Sequence, residues 1–163
     1  MIERTLVLIK PDGVKRCLSG EIISRFEKIG LKIIGMKMAW IDKNFAKKHY
    51  GEDIAEKHGV KVRERLLDYI TEGPVIAIVL EGVDIVNVVR KIVGSTYPNE
   101  SLPGTIRGDF AHISKIYANT KEIHVKNLIH ASGTKDEAKT EISLWFKDNE
   151  LHSYKSVHDE HVI

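Results

Sequence analysis

The spacing of apolar residues along the chain changes period several times, and each change marks an element. Thr5-Leu6-Val7-Leu8-Ile9 is a short run of strand formers closed by the turn signal Pro11-Asp12-Gly13. Ile22, Ile23, Phe26 and Ile29 fall on one helical face, which predicts a helix capped by Ser19 and stopped by Gly30. Large apolar residues alternate in Met36-Lys37-Met38-Ala39-Trp40, the pattern of a half-buried strand. Asp42 has the position of an N-cap for a short helix with Phe45, Ala46, His49 and Tyr50.

Residues 51–61 are polar and without a period, which reads as a loop. Val62, Leu66, Tyr69 and Ile70 mark a helix ended by Gly73-Pro74. Val75 to Leu80 is continuously apolar, as in a central strand buried on both faces. Ile85 to Val93 is rich in β-branched residues and fits strand or helix; a capping Asp84, a terminating Gly94 and the length favour helix. Residues 95–126 form a long irregular stretch with Pro98, Pro103, Gly104 and Gly108. Leu128-Ile129 is a short strand, and Thr134 with Glu137 is a capping box before a helix carrying Ala138, Ile142 and Trp145. The tail, 147–163, is polar and rich in histidine. The order matches an α+β, ferredoxin-like βαββαβ sandwich, a four-stranded antiparallel sheet covered by helices. That architecture hosts many functions and decides none.

Composition narrows the field. A chain of 163 residues, 42% hydrophobic and 29% charged, is expected to form one soluble domain spanning 1–163. A net charge of +2 gives no reason to expect general nucleic-acid or membrane binding. Cys17 is the only cysteine, so no internal disulfide and no cysteine zinc site form. The start, Met1-Ile2-Glu3-Arg4, lacks a secretory layout, and the longest apolar run is far shorter than the ~20 residues that span a bilayer. A cytoplasmic protein is expected.

The informative residues are polar ones in apolar surroundings. Lys10 ends the first strand, where its ammonium either reaches water past the sheet edge or meets an anion. His130 ends the short strand, two residues before Ser132. Glu141 lies three residues after Ala138 and four before Trp145, which draws it towards the packed face. A half-buried carboxylate needs a partner, and a histidine at the preceding strand end supplies one. Arg90 and Arg107 flank a Gly/Pro/Thr-rich loop, an arrangement suited to clamping phosphate. The chain has neither a P-loop nor a Gly-x-Gly-x-x-Gly sequence, so bound phosphates would have to be held by side chains.

Asn127-Leu-Ile-His130-Ala-Ser132 resembles the active-site signature of the nucleoside diphosphate kinases. The resemblance extends through Thr5-Leu-Val-Leu-Ile-Lys10-Pro-Asp-Gly, Gly20-Glu-Ile-Ile-Ser-Arg-Phe-Glu-Lys, His49-Tyr50, Gly73-Pro-Val, Glu81-Gly82 and Pro103-Gly-Thr-Ile-Arg107-Gly-Asp-Phe110. Several motifs in one order are more specific than any one, and the chain looks like an archaeal type. The resemblance implies that His130 accepts the γ-phosphoryl group of a nucleoside triphosphate and passes it to a diphosphate, in ping-pong order. It implies that Glu141 holds the other ring nitrogen with Ser132 beside both, and that Lys10, Tyr50, Arg90, Thr96, Arg107 and Asn127 bind phosphates and ribose. It implies Mg²⁺ arriving with the nucleotide, without a protein cage, and a homo-oligomer, commonly a hexamer, built with the loop Ser101-Leu102-Pro103-Gly104. The chemistry suits a histidine, since a free imidazole, with a pKa of about 6.5, is largely neutral near pH 7.

Two departures from the family pattern stand out. Gly133 takes the place of an aspartate after the signature serine, and segments near 51–61 and 111–126 look like insertions. The family's base-stacking aromatic would fall near the first, where His58, Val60 and Val62 are the candidates. An RNA-recognition module is excluded because no RNP1-type aromatics occupy the middle strands. A non-catalytic nucleotide sensor is the stronger rival, and the retention of His130 with Glu141 argues against it. His152, His158 and His161 of the tail read as solvated.

Overall fold

The computed structural model describes residues 1–162. Strands β1 (Ile2–Ile9), β2 (Lys32–Ala39), β3 (Val75–Val83) and β4 (Ile129–Ala131) form one antiparallel sheet in the order β2-β3-β1-β4. This is the α+β architecture expected from the pattern. Helices α1 (Pro11–Lys15), α2 (Ser19–Glu27), α3 (Lys43–His49), α4 (Glu52–His58), α5 (Val60–Thr71) and α6 (Ile85–Val93) connect the first three strands and lead on from β3. Helices α7 (Ile106–Phe110), α8 (Lys115–Thr120), α9 (Lys135–Trp145) and α10 (Asp159–Val162) complete the chain. Among the described residues no helix is long and apolar enough to cross a membrane.

The alternation within β1 splits the core in two. Leu6 and Leu8 face α3, α5 and Trp145, whereas Val7 and Ile9 face α2, α6 and Ile106. β3 lies between β1 and β2 and is buried along its apolar run, as its sequence predicts.

Several local expectations need correction. Residues 51–61 are helical: acidic Glu52 and Asp53 open α4, Lys57 and His58 close it, and this charge order suits the helix dipole. The joint to α5 is Gly59 at φ +93°, a conformation open to glycine. The stretch 95–126 holds α7 and α8, capped by Thr105 and Ser114, which accept from the amides of Gly108 and Tyr117. Helix α2 begins at Ser19 with no side-chain cap, and Asp84 is left-handed (φ 47°) and caps nothing. Met36, Met38 and Trp40 are 55%, 59% and 71% exposed. Their alternation therefore marks the solvent face of an edge strand and of the residue after it, which no helix among the described residues covers. The polar tail is anchored: His152 N–H donates to Ile34 O at 2.7 Å and Tyr154 Oη–H to Ile33 O at 2.8 Å.

Candidate active site

The two strands nearest the site bring its chemistry together. β1 and β4 pair Leu8 with His130 and Ile9 with Ile129, so His130 stands beside the end of β1, where Lys10 follows. Between them Leu128 adopts φ 69°, which costs a branched residue ~1 kcal/mol or more. Three bonds hold this kink: Lys10 N–H donates to Leu128 O (2.8 Å), Leu128 N–H to Asp12 Oδ2 (3.2 Å), and Tyr69 Oη–H to Asp12 Oδ1 (2.6 Å). The kink turns Asn127 inward, where its Oδ1 accepts from Lys10 Nζ at 2.8 Å and its Nδ2 donates to Thr96 O at 2.9 Å.

His130 and Glu141 meet as the sequence suggests. His130 Nε2 lies 2.9 Å from Glu141 Oε1, and Ser132 Oγ donates to Glu141 Oε2 at 2.6 Å. Burial alone would raise the Glu141 pKa. The charge and hydrogen bond of His130, helped by His49 and Ser132, outweigh it and hold the carboxyl below its usual range. In the neutral ring, an anionic Oε1 accepts from Nε2–H, which puts the one imidazole proton on Nε2 and leaves Nδ1 with its lone pair.

Cations surround this imidazole. Lys10 is buried, and burial, reinforced by Arg107 and opposed by Asp12, lowers its pKa to about 7. Arg107 donates to four backbone carbonyls, those of Gly94, Ser95, Asn127 and Ile129, so its plane is fixed before any ligand arrives. Burial lowers its pKa to about 10, and it stays charged. Arg90 projects from α6 into the same cavity, of about 600 Å³, which Thr96, Tyr50 and Asn127 also line. The structure thus brings together every site residue that the sequence singles out, although the side chain of Asn127 is spent on Lys10 and Thr96. Of the three base-side candidates, His58 and Val62 line the cavity, and Val60 faces solvent.

Sequence reasoning missed His49 as a member of this cluster. Its imidazole stands edge-on to that of His130, centroids 4.7 Å apart, and its Nδ1 lies 3.8 Å from Glu141 Oε1. Trp145 Nε1–H donates to that Nδ1 at 3.3 Å. Burial, then the charge of His130, drives the His49 pKa down to about 3, so this ring is neutral. His49, His130 and Glu141 offer ligand atoms within 4.8 Å of one another. Two imidazoles and one doubly engaged carboxylate are a poor set for Mg²⁺, which prefers octahedral oxygen ligands and keeps its water. The family's missing aspartate also has a counterpart: Glu137 Oε2 accepts from Gly133 N–H at 2.9 Å, and a Cβ at Gly133 would lie 2.7 Å from that oxygen.

Residues 3–151 match the family described as nucleoside diphosphate kinase. The chain is 54% identical to a nucleoside diphosphate kinase of Pyrococcus horikoshii over 158 residues, 96% of this chain and 93% of that one. It is 46% identical to one of Borreliella burgdorferi over 156 residues, 95% and 93% of the two chains. A solved structure described as a transition-state mimic of the Borrelia burgdorferi enzyme, with bound vanadate and ADP, superposes with a TM-score of 0.95 at 45% identity, covering 97% of this chain and 95% of that one. A Halobacterium salinarum enzyme in complex with CDP gives a TM-score of 0.86 at 39% identity over 100% and 99% of the two chains.

Proposed function

The chain belongs to the nucleoside diphosphate kinase family, and on that premise we propose that His130 is the residue that carries the phosphoryl group between nucleotides. The observation that carries this reading is the Glu141 carboxylate 2.9 Å from His130 Nε2, with the free ring nitrogen left to a cavity lined by Lys10, Arg90 and Arg107. In the first half-reaction the Nδ1 lone pair attacks the γ-phosphorus of a nucleoside triphosphate. The bond from that phosphorus to the β,γ-bridging oxygen breaks, and the nucleoside diphosphate departs with the electron pair. No proton moves, because Nδ1 carries none; the positive charge that develops on the ring is met by Glu141. A second diphosphate then attacks the phosphoryl group by its terminal β-oxygen and restores the lone pair. Phosphoryl transfer asks chiefly for in-line positioning and neutralised equatorial oxygens. Lys10 and the two arginines supply the charge, Tyr50 and Thr96 wall the phosphate path, and Asn127 holds Lys10 in place. Ser132 fixes the Glu141 carboxylate.

The substrate is the Mg²⁺ complex of the nucleotide. The cavity lining around His130 is cationic and Glu141 is already engaged, so phosphate oxygens and water are the ligands for that ion. A cytoplasmic setting follows from nucleotide substrates. A homo-oligomer, as a hexamer, is part of this reading and is supported by the exposed row Met36, Met38 and Trp40 on the edge strand; light scattering of the purified chain tests it. The whole chain is read as one domain, with 51–61 and 111–126 as insertions. Initial rates over a grid of CTP and GDP concentrations test the mechanism. Parallel double-reciprocal lines are the expected result, and lines that intersect contradict a phosphoenzyme route.

A further inference from the structure

We propose that the segment 111–126 reads the nucleobase, and that through Lys115 and Asn119 it selects 6-keto purines, guanine above adenine. This rests on the nucleotide-binding reading of the cavity and deepens it. Lys10 and Arg107 are buried at the cavity floor, whereas Lys115 and Asn119 are exposed and stand at its mouth. A nucleotide with its phosphates on that floor has its base at the mouth, between the apolar side chains of Ile54, Val62 and Ile123.

Helix α8 sets the geometry. Lys115 and Asn119 are four residues apart, share one helical face, and both line the cavity. Ile116 and Tyr117 turn to solvent, and Ala118 is buried beneath the helix. The segment is docked on α5 and the residue after it: His124 stacks on Tyr69 with centroids 5.1 Å apart and 29° between planes, and Lys126 Nζ lies 3.3 Å from Glu72 Oε1. Lys115 Nζ is 5.5 Å from the centroid of the Tyr97 ring and pairs with no carboxylate among the described residues.

Donor chemistry gives the direction of selection. An ammonium only donates, so it favours an edge that presents acceptors. Guanine presents N7 and O6 side by side; adenine presents N7 and an amino group that donates. The Asn119 amide adds an acceptor for the N1–H of a 6-keto purine, and its side chain is uncommitted among the described residues.

The test is kcat/KM for GDP, IDP and ADP with CTP as donor, in the wild type and in Lys115→Ala and Asn119→Ala. The wild type should prefer GDP to ADP by about fivefold, the scale of one hydrogen bond, and IDP should track GDP because both carry O6. Lys115→Ala and Asn119→Ala should each bring GDP and IDP towards the level of ADP while ADP changes less than twofold. Equal wild-type values for GDP and ADP, or a preference that survives both substitutions, overturns the proposal. Lys115 and Asn119 are exposed, and a melting curve checks that each variant folds. Equilibrium dialysis on His130→Ala separates the two readings: a GDP preference in binding upholds base selection even where the wild type forms no phosphoenzyme and the kinase mechanism fails, whereas equal binding of GDP and ADP sinks base selection alone.

Discussion

The oxygens of Glu141 serve different neighbours, Oε1 holding His130 Nε2–H and Oε2 accepting from Ser132. Removing the carboxylate frees the ring to rotate or change tautomer and leaves its developing charge unmatched. Glu141→Ala should therefore lower kcat on the order of 100-fold, with KM for nucleotide changing a few-fold at most; Glu141→Gln should lose less, because its amide oxygen still accepts from Nε2–H. A rise in KM at constant kcat would contradict the orienting role. Lys10 gives a second test. With its pKa lowered to about 7, it is largely neutral in the free protein at pH 8, and a polyphosphate favours its charged form. Nucleotide binding should then take up close to one proton at pH 8 and little at pH 6, so affinity falls as pH rises above about 7. Calorimetry in two buffers of different ionisation enthalpy measures the uptake, and Lys10→Gln should abolish it. At this scale the sequence reached far: a carboxylate at core spacing after a strand-end histidine was enough to pair Glu141 with His130. His49 was hidden, because its partners Trp145 and Glu141 lie about ninety residues away and only the tertiary fold brings them near.

Among the elements, those with a clear period were legible and those held by end effects were not. β1, β3 and α5 follow from apolar runs and a helical face. α4 has a single apolar anchor, Ile54, and depends on charge order, an Asp53–Lys57 pair and the bend at Gly59, none of which gives a period. The Gly59 joint is testable in isolation, since a Cβ there meets nothing within 4 Å and only the backbone at φ +93° objects. Gly59→Ala should cost about 1–3 kcal/mol, read as a lower melting temperature, and an unchanged melt would show that the joint relaxes freely. The capping box was half right. Thr134 Oγ1 accepts from Glu137 N–H as expected, but Glu137 turns its carboxylate to Gly133 N–H, one residue before the cap. Met36, Met38 and Trp40 alternate as a half-buried strand does, and alternation alone does not say which side a helix covers; here their side is the exposed one.

Across the whole molecule, the cavity takes Lys10 from the residue after β1, Tyr50 from the end of α3, Arg90 from α6, Arg107 from α7 and His130 from β4, so it exists only when the sheet is assembled. Burying neutral histidines in and behind its walls, His124 in the lining and His49 packed behind His130, ties stability to pH. His49 and His124 both have pKa values lowered to about 3, mainly by burial, against an ordinary 6.5. Between those limits the unfolded chain binds more protons than the folded one. Each ring therefore contributes stability that is complete above pH ~6.5 and is lost as pH falls towards ~3, at up to ~1.4 kcal/mol per pH unit. Urea unfolding at a series of pH values should show this loss, and His124→Gln should remove about one proton from its slope; a flat profile from pH 6.5 to 4 would contradict it. The central claim is that His130 carries the phosphoryl group, and the most direct test is labelling with γ-labelled ATP and Mg²⁺. Acid-labile label should form on the wild type, pass to added CDP or GDP, and be absent from His130→Ala. A folded wild type that binds ATP and takes up no label, or a His130→Ala variant that takes up as much, would contradict it.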